Sequence, residues 1–151
     1  MRANDNKALV RRFVEDVWNG ADVAVADELM ADDFISHGPG PFEFDRQGLV
    51  YFVQFLEGIR HLTDRTGAVT IEAILQEGET VVVWTSGEAQ IPVERYVSQE
   101  LLEMMRQHQS ITGIRIHEQV KSMGIGVFRV VAGKIAEVWI FTSYPLAPPS
   151  S

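Results

Sequence analysis

The chain has 151 residues, of which 46% are apolar and 23% charged, a composition typical of one folded domain with a core of its own. Its formal net charge of −8 argues against nucleic-acid or anionic-membrane partners, because both require clustered lysine and arginine. The absence of cysteine excludes disulfides, thiolate metal sites and a cysteine nucleophile. The N-terminus lacks the pattern of a signal peptide, and no apolar run reaches the roughly 20 residues of a membrane span, so we expect a cytoplasmic protein.

The first part of the chain predicts three helices. Apolar residues recur every three or four positions over residues 6–19, which is one stripe of an amphipathic helix that an Asn-Gly pair ends. Asp22 can cap a second, short helix over residues 23–30. A third helix is predicted over about residues 46–62. The segment 37–41, between the second and third helices, has the composition of a loop.

The periodicity then changes to alternation, which indicates strands. Residues 69–75, 80–90, 120–131 and 134–142 follow this pattern, and a short Ala-Gly turn makes a hairpin of the last two. Helices followed by antiparallel strands are a segregated α+β order rather than an alternating one. We find no internal repeat and no linker, so a single domain over residues 1–151 is predicted.

Two segments lie outside this simple plan. Residues 98–108 have a serine cap, an acidic first turn and an apolar stripe rich in methionine, which predicts a helix inserted between strands. Such a helix is either a flap over a pocket or part of the packed core. The proline-rich tail, residues 145–151, is expected to be a frayed end.

Several landmarks in the same order resemble one family. They are Trp18–Asp22 at the end of the first helix, Ala31–Phe34 leading to His37, the strand Val81–Thr85, and the hairpin segments Val127–Val130 and Gly133–Trp139. Over about residues 6–142, without the inserted segment, the chain resembles the SnoaL-like polyketide cyclases of the nuclear-transport-factor-like superfamily, which also holds the ketosteroid isomerases. The resemblance implies three N-terminal helices packed in a strongly curved antiparallel sheet, forming a cone with an internal pocket. It implies no particular reaction, because this fold hosts many.

The chain departs from the catalytic pattern of the ketosteroid isomerases. Those enzymes place a carboxylate base and oxyanion-stabilising donors at positions that align with Gly38, Phe13 and Gly126 here. None of these three side chains can accept a proton or donate a hydrogen bond. A ketosteroid isomerase of that mechanism is therefore excluded.

The chain also departs from the aldol cyclases of the family. Their last strand often has the sequence Glu-His-Trp-Asp, where this chain has Glu137, Val138, Trp139 and Ile140. A frequent histidine on the long strand aligns near Gln90. Since two polar positions have become aliphatic, the resemblance favours a pocket that mainly holds and shapes an apolar substrate.

Alternation along the predicted strands separates side chains that face the pocket from those that face outward. On the last two strands it predicts an apolar pocket wall, with space left at Gly126, that consists of Phe128, Val130, Val138, Ile140 and Thr142. One face of the long strand is expected to complete the lining with Trp84, Ser86, Glu88 and Gln90. A few polar groups in a large apolar cavity are typical of a small-molecule site.

The opposite face of the last strand would be an exposed apolar patch in a monomer. It is expected to carry Ile135, Glu137, Trp139 and Phe141. Such patches usually mark interfaces. We therefore expect a homodimer through this outer sheet face, with Trp139 and Phe141 buried in it.

His37 is the main catalytic candidate, as a general base or as a hydrogen-bond donor to a carbonyl, and the alternative is a histidine that only orders its own loop. Glu88 is the second catalytic candidate, unless it is an ordinary exposed glutamate at a strand end. Trp18 and Trp84 could stack on a flat substrate or belong to the core. The hydroxyl of Tyr51 could meet the ligand or His37.

These features together predict a cyclase that closes a ring in an apolar, polyketide-like intermediate by folding it and polarising a carbonyl, with either [4+2] or aldol-type chemistry. An epoxide-opening enzyme is the first alternative, and it would require Asp45 and Glu72 to face inward together. A non-catalytic, dimeric ligand-binding module is the second. No cofactor or metal is expected, because phosphate-binding loops are absent and the remaining histidines lack metal-ligand spacing.

Overall fold

A computed structural model describes residues 3–62, 68–95, 97–117 and 119–142, with the side chains of residues 3, 4, 61, 62, 88–91 and 120 left out of that description. The helices are α1 (Ala3–Arg12), which continues as a π-helix (Phe13–Trp18), α2 (Val23–Leu29), α3 (Arg46–Leu62), α4 (Gln99–Gln107) and the short α5 (Gln109–Thr112). The strands are β1 (Met30–His37), β2 (Glu43–Asp45), β3 (Val69–Glu77), β4 (Thr80–Pro92), β5 (Gln119–Val131) and β6 (Lys134–Thr142). A single 3-10 turn (Val93–Arg95) follows β4.

The six strands form one sheet in the order β2-β1-β6-β5-β4-β3, which curves around the helices without closing. This confirms the predicted α+β class. The sheet is antiparallel except between β1 and β6, which pair in parallel. The sequence did not predict β1 or β2, because Asp32 and Asp33 interrupt the alternation of β1 and β2 has only three residues.

The first helix is longer than predicted at its start and changes its winding near its end. The six residues of the π-helix place four side chains in the core, Phe13, Val14, Val17 and Trp18. A wider π turn lets adjacent positions face the same side, which a regular α-helix would not allow. Beyond it, the side-chain amide of Asn19 donates to the carbonyl of Val69 at 2.7 Å and accepts from the same residue's N–H at 2.9 Å. Asn19 thus attaches the end of the helix to the start of β3.

A bulge in β6 changes which of its residues face the core. Arg129 pairs with Glu137 and Val130 pairs with Ile135, so Ala136 is an extra residue on β6. The expectation that Ile135 shares the outer face with Glu137 is therefore wrong, because the bulge turns Ile135 into the core, where it is fully buried. Beyond the bulge, alternation holds from Glu137 to Thr142.

The connection between β4 and β5 contains the helix where the sequence predicts one. Ser98 caps α4 by accepting a hydrogen bond from the N–H of Leu101 at 3.2 Å. Leu102 is 1% exposed, whereas Met104, two residues further along the helix, is 54% exposed. Leu102 is thus the buried side chain of α4. The tail over residues 145–151 lies outside the described residues.

Candidate ligand site on the concave sheet face

Strand register arranges the concave face of the sheet into three rows of neighbouring side chains, which we call inner rows. The first contains Gln76, Val81, Phe128, Val138 and Ser36, the second Ile74, Val83, Gly126 and Ile140, and the third Ile71, Thr85, Gly124 and Thr142. Apart from the half-buried Gln76 on β3, residues of the first row are buried, whereas Ile140 and all of the third row are only half-buried. Burial therefore decreases along the face, which opens at the third row, and we call this side the open end.

The open end combines apolar side chains with the exposed backbone of a glycine. Gly124 lies so close to Thr85 that an added Cβ would be 2.8 Å from its hydroxyl, which itself donates to the carbonyl of Gly124 at 3.3 Å. Ile140 and Thr142 border these residues on β6. A flat apolar molecule placed here would contact aliphatic side chains and glycine backbone.

The space expected at Gly126 is filled. A Cβ built on Gly126 would lie 2.7 Å from Cε2 of Phe128, so the aromatic ring of Phe128 covers the glycine. The ring also packs edge-on against Phe13, with 5.5 Å between centroids. The expectation of open space at Gly126 is thus wrong, and Phe128 closes the concave face towards the first inner row.

His37 lies on the outer face of the sheet. Its neighbour Ser36 faces inward and is fully buried, donating to the carbonyl of Gly38 at 2.8 Å. The imidazole of His37 consequently faces away from the inner rows and stacks on Trp139, with 5.2 Å between ring centroids. The sequence could not show this, because β1 was not predicted as a strand.

Two carboxylates hold the imidazole of His37. Its Nε2 lies 2.7 Å from Glu137 and its Nδ1 lies 3.1 Å from Glu43. The hydrogen bond to Glu137 raises the pKa of His37 above 6.5, and the same contact lowers the pKa of Glu137. Arg129 contacts the other oxygen of Glu137 at 3.3 Å. These four side chains form an ion cluster, and no side chain of the inner rows belongs to it.

The face predicted for β4 is reversed over the described part of the strand. Val81 and Val83 are buried in the core, so Trp84 points outward and is 45% exposed. Ser86 is on the same outer side, where its hydroxyl donates to Glu72 at 2.6 Å. A register shift follows between Ser86 and Gln90, and the side chains of Glu88 and Gln90 lie outside the described set.

The remaining binding candidates are divided between the interior and the surface. Phe128, Val138, Ile140 and Thr142 occupy the inner rows as predicted. Trp18 belongs to the core and packs on Phe52, with 5.9 Å between ring centroids. Tyr51 is 65% exposed on the solvent side of α3 and does not point into the interior.

The two carboxylates that epoxide opening would require do not converge. Asp45 is exposed and accepts a hydrogen bond from the N–H of Gly48 at 2.8 Å, at the start of α3. Glu72 is exposed on the outer face with Ser86. The condition set for the epoxide-opening alternative is therefore not met.

Arg60 is a buried cation that the sequence analysis did not identify. Its guanidinium is enclosed and donates from Nη1 to the carbonyls of Trp18 at 2.8 Å and Asn19 at 3.1 Å. The same nitrogen contacts Glu57 at 3.3 Å. These contacts satisfy carbonyl groups at the end of the π-helix, which is a structural role. A signal was present, since Arg60 continues the buried stripe of Leu49 and Val53 on α3.

Among the residues with described side chains, no group of three or more histidine, aspartate or glutamate residues is arranged so that it could hold a metal ion. Within the same part of the chain, no helix is long and apolar enough to span a membrane.

Comparison with known proteins identifies the family. A model of the SnoaL-like domain matches residues 10–138, which is most of the chain. The chain belongs to the SnoaL-like family. Among curated proteins, the sequence has no significant match.

Solved structures of similar fold include other SnoaL-like proteins. IdmH from Streptomyces antibioticus, a candidate polyketide cyclase, is 18% identical over 91% of each chain, with a TM-score of 0.61. A candidate SnoaL-like polyketide cyclase from Jannaschia sp. CCS1 is 19% identical over 93% of this chain and 86% of its own, with a TM-score of 0.59. A candidate ketosteroid isomerase from Kribbella flavida DSM 17836 is 16% identical over 98% and 84%, with a TM-score of 0.60. At these identities the likeness establishes the fold.

Proposed function

We propose that this SnoaL-like protein is a biosynthetic cyclase that folds an apolar, polyketide-like intermediate against the open end of its concave face and closes a ring. The substrate would contact Ile140 and Thr142, with Phe128 limiting how deeply it enters. Val138 supports this wall from the first inner row. Several structural relatives are themselves candidate polyketide cyclases, which supports the proposal at the level of the fold.

The composition of the inner rows carries this proposal. Over their described positions they contain aliphatic, aromatic, glycine and hydroxyl residues and the amide of Gln76, and no aspartate, glutamate, histidine or lysine. Such a surface is suited to orienting a flexible apolar chain, which lowers the entropic part of the barrier. It is less suited to proton transfer, which requires a positioned acid or base.

We propose that a residue at the end of β4, after the register shift, polarises a carbonyl of the substrate. Glu88 and Gln90 lie there in sequence, on the strand that supplies Thr85 to the open end. A hydrogen-bond donor such as the Gln90 amide would withdraw electron density from an unsaturated carbonyl and favour [4+2] closure. Catalysis by His37 is not part of the proposal, because its imidazole is on the outer face.

Turnover of linear substrates tests the proposal. The protein would be incubated with two N-acetylcysteamine thioesters, one a linear poly-β-ketone and the other a polyene carrying an unsaturated ketone. We expect the polyene to give a product of unchanged mass, since a [4+2] addition is an isomerisation. A product lighter by one water from the poly-β-ketone would instead indicate aldol condensation. If neither substrate reacts faster with protein than without it, the cyclase proposal is wrong for these classes.

A non-catalytic ligand-binding module is the second candidate. The same observation favours it, namely inner rows without acid–base side chains over the described positions. It predicts that 1,8-dihydroxyanthraquinone, a fused aromatic of polyketide type, binds to the protein while both thioesters remain unchanged. Binding together with accelerated ring closure would exclude it.

A further inference from the structure

The concave face continues by one row beyond the third inner row. Val69 on β3 pairs with Gly87 on β4. Ser122 follows on β5, two residues from Gly124 and therefore on the same side of the strand. The exposure of the residues agrees with this direction, because Ser122 is half-buried while its two neighbours in sequence are exposed on the outer face. We call Val69, Gly87 and Ser122 the rim row.

The missing side chain of Gly87 makes room for Ser122. A Cβ built on Gly87 would overlap the hydroxyl oxygen of Ser122 and would lie 3.0 Å from its Cβ. The side chain of Ser122 therefore lies directly against the backbone of Gly87, which is buried. A larger residue at position 87 would force the hydroxyl into another rotamer. Gly87 is thus required for the observed position of this hydroxyl.

Four side chains in the inner rows and the rim row carry hydroxyl groups. Ser36 donates to a backbone carbonyl at 2.8 Å, and Thr85 donates to the carbonyl of Gly124 at 3.3 Å. Thr142 turns its methyl carbon towards Gly124, with 3.7 Å between that carbon and a Cβ built there. Ser122 makes no hydrogen bond within the part of the chain that the structure describes. Its hydroxyl is therefore available to donate to a ligand at the open end.

The surroundings of Ser122 favour a neutral acceptor. Val69 and Ile71 on β3 are aliphatic and half-buried, and the cation nearest in sequence, Lys121, is exposed on the outer face. A carboxylate or phosphate would require a cation at this position to offset its loss of water. A ketone or ester carbonyl requires only a hydrogen-bond donor, and that bond is strengthened by an apolar environment.

We propose that Ser122 donates a hydrogen bond to a ketone or ester carbonyl of the ligand at the open end, and that Gly87 is the positioning residue for this hydroxyl. The inference rests on the ligand site of the proposed function, and it adds the chemical group that the ligand must present there. A carbonyl oxygen can accept two hydrogen bonds, so this donor adds to the one proposed at the end of β4. Such bonds strengthen as negative charge develops on the oxygen.

Binding of a matched pair of probes tests this inference. Fluorenone is a flat aromatic ketone, and fluorene has the same ring skeleton without the carbonyl group. Their dissociation constants would be measured by equilibrium dialysis against the full chain. We expect Ser122→Ala to weaken fluorenone binding by about 3- to 10-fold, the usual effect of one hydrogen bond, and to leave fluorene binding unchanged.

The infrared spectrum of the bound ketone gives an independent readout. A hydrogen bond weakens the C=O bond and lowers its stretching frequency. Bound fluorenone should therefore absorb at a lower frequency in the wild type than in Ser122→Ala. Gly87→Ala should abolish the same difference, because the added methyl displaces the hydroxyl while the serine itself remains.

Ser86→Ala is the matched control, because Ser86 is a serine on the adjacent strand whose hydroxyl is on the outer face and donates to Glu72. It should leave both affinities and the carbonyl frequency unchanged. Circular dichroism verifies the folding of all three variants.

Three results would overturn the inference. They are a wild type that does not bind fluorenone, equal fluorenone affinity in the wild type and folded Ser122→Ala, and an equal loss of affinity for fluorene or in Ser86→Ala. The thioester assay tests ring closure separately. A protein that binds fluorenone through Ser122 but turns over neither thioester would refute the cyclase proposal and leave this inference intact.

Discussion

Gly126→Ala tests the packing that closes the concave face. The added methyl would lie 2.7 Å from Cε2 and 3.4 Å from Cζ of Phe128, well inside normal contact distance. The Phe128 ring cannot withdraw easily, because it is buried and packs against Phe13 at 5.5 Å. Overpacking of this kind typically costs about 1–3 kcal/mol, partly offset by about 0.5–1 kcal/mol from the stiffer unfolded chain. We therefore expect a net loss of about 1–2 kcal/mol in the free energy of unfolding.

Urea denaturation provides the assay, and a double-mutant cycle separates the contact from other effects. Gly126→Ala introduced into a Phe128→Leu background should cost about 1 kcal/mol less than in the wild type, because the ring that clashes is gone. Gly58→Ala is the matched control, since Gly58 lies in α3 with no atom within 4 Å of an added Cβ. That change should stabilise the protein by about 0.5–1 kcal/mol. If Gly126→Ala is as favourable as Gly58→Ala, or if its cost is the same in both backgrounds, Phe128 does not cover Gly126.

Three further predictions concern individual contacts. His37→Gln should destabilise the protein most between about pH 4.5 and 6.5, measured by thermal unfolding, because both groups are then charged in the folded protein. The difference should shrink as pH rises through the raised pKa of His37 or falls through the lowered pKa of Glu137, and a pH-independent difference would contradict the ion cluster. Asn19→Ala should cost about 1–3 kcal/mol in urea denaturation, because the N–H of Val69 loses its partner, and a neutral result would refute that attachment. Amide hydrogen exchange in α4 should slow when 1,8-dihydroxyanthraquinone is bound if the helix is a flap, whereas equal protection in both states would make it core.

The spacing of apolar residues predicted most helices and strands correctly, because this spacing depends only on the local geometry of a helix or a strand. The stripe of α3 and the alternation of β5 and β6 are visible without any knowledge of the partners they pack against. The same pattern could not decide which face of β4 is inside. Both faces are partly apolar there, since Val81 and Val83 alternate with Val82 and Trp84. Only pairing with the neighbouring strands settles that choice.

The candidate site was harder to predict, because a single extra or charged residue in a strand changes or hides the face to which the following side chains point. The bulge at Ala136 turns Ile135 inward, and no residue at that point marks a bulge in the sequence. His37 ends a strand whose charged residues hide the alternation, so its outward direction could not be inferred. The glycine at 126 suggested space, yet a missing side chain can equally make room for a neighbour such as Phe128.

A comparison of two isoleucines on adjacent strands tests most directly whether ligands bind on the concave face. Ile140 lies in the second inner row, whereas Ile125 lies on the outer face beside Phe141. Each would be changed to phenylalanine, and the dissociation constant for 1,8-dihydroxyanthraquinone would be measured by isothermal titration calorimetry. Binding against the inner rows predicts about tenfold or greater weakening in Ile140→Phe, because the added volume occupies the ligand's space, and little change in Ile125→Phe. Equal affinities for wild type and Ile140→Phe, or weakening confined to Ile125→Phe, would contradict a site on the concave face.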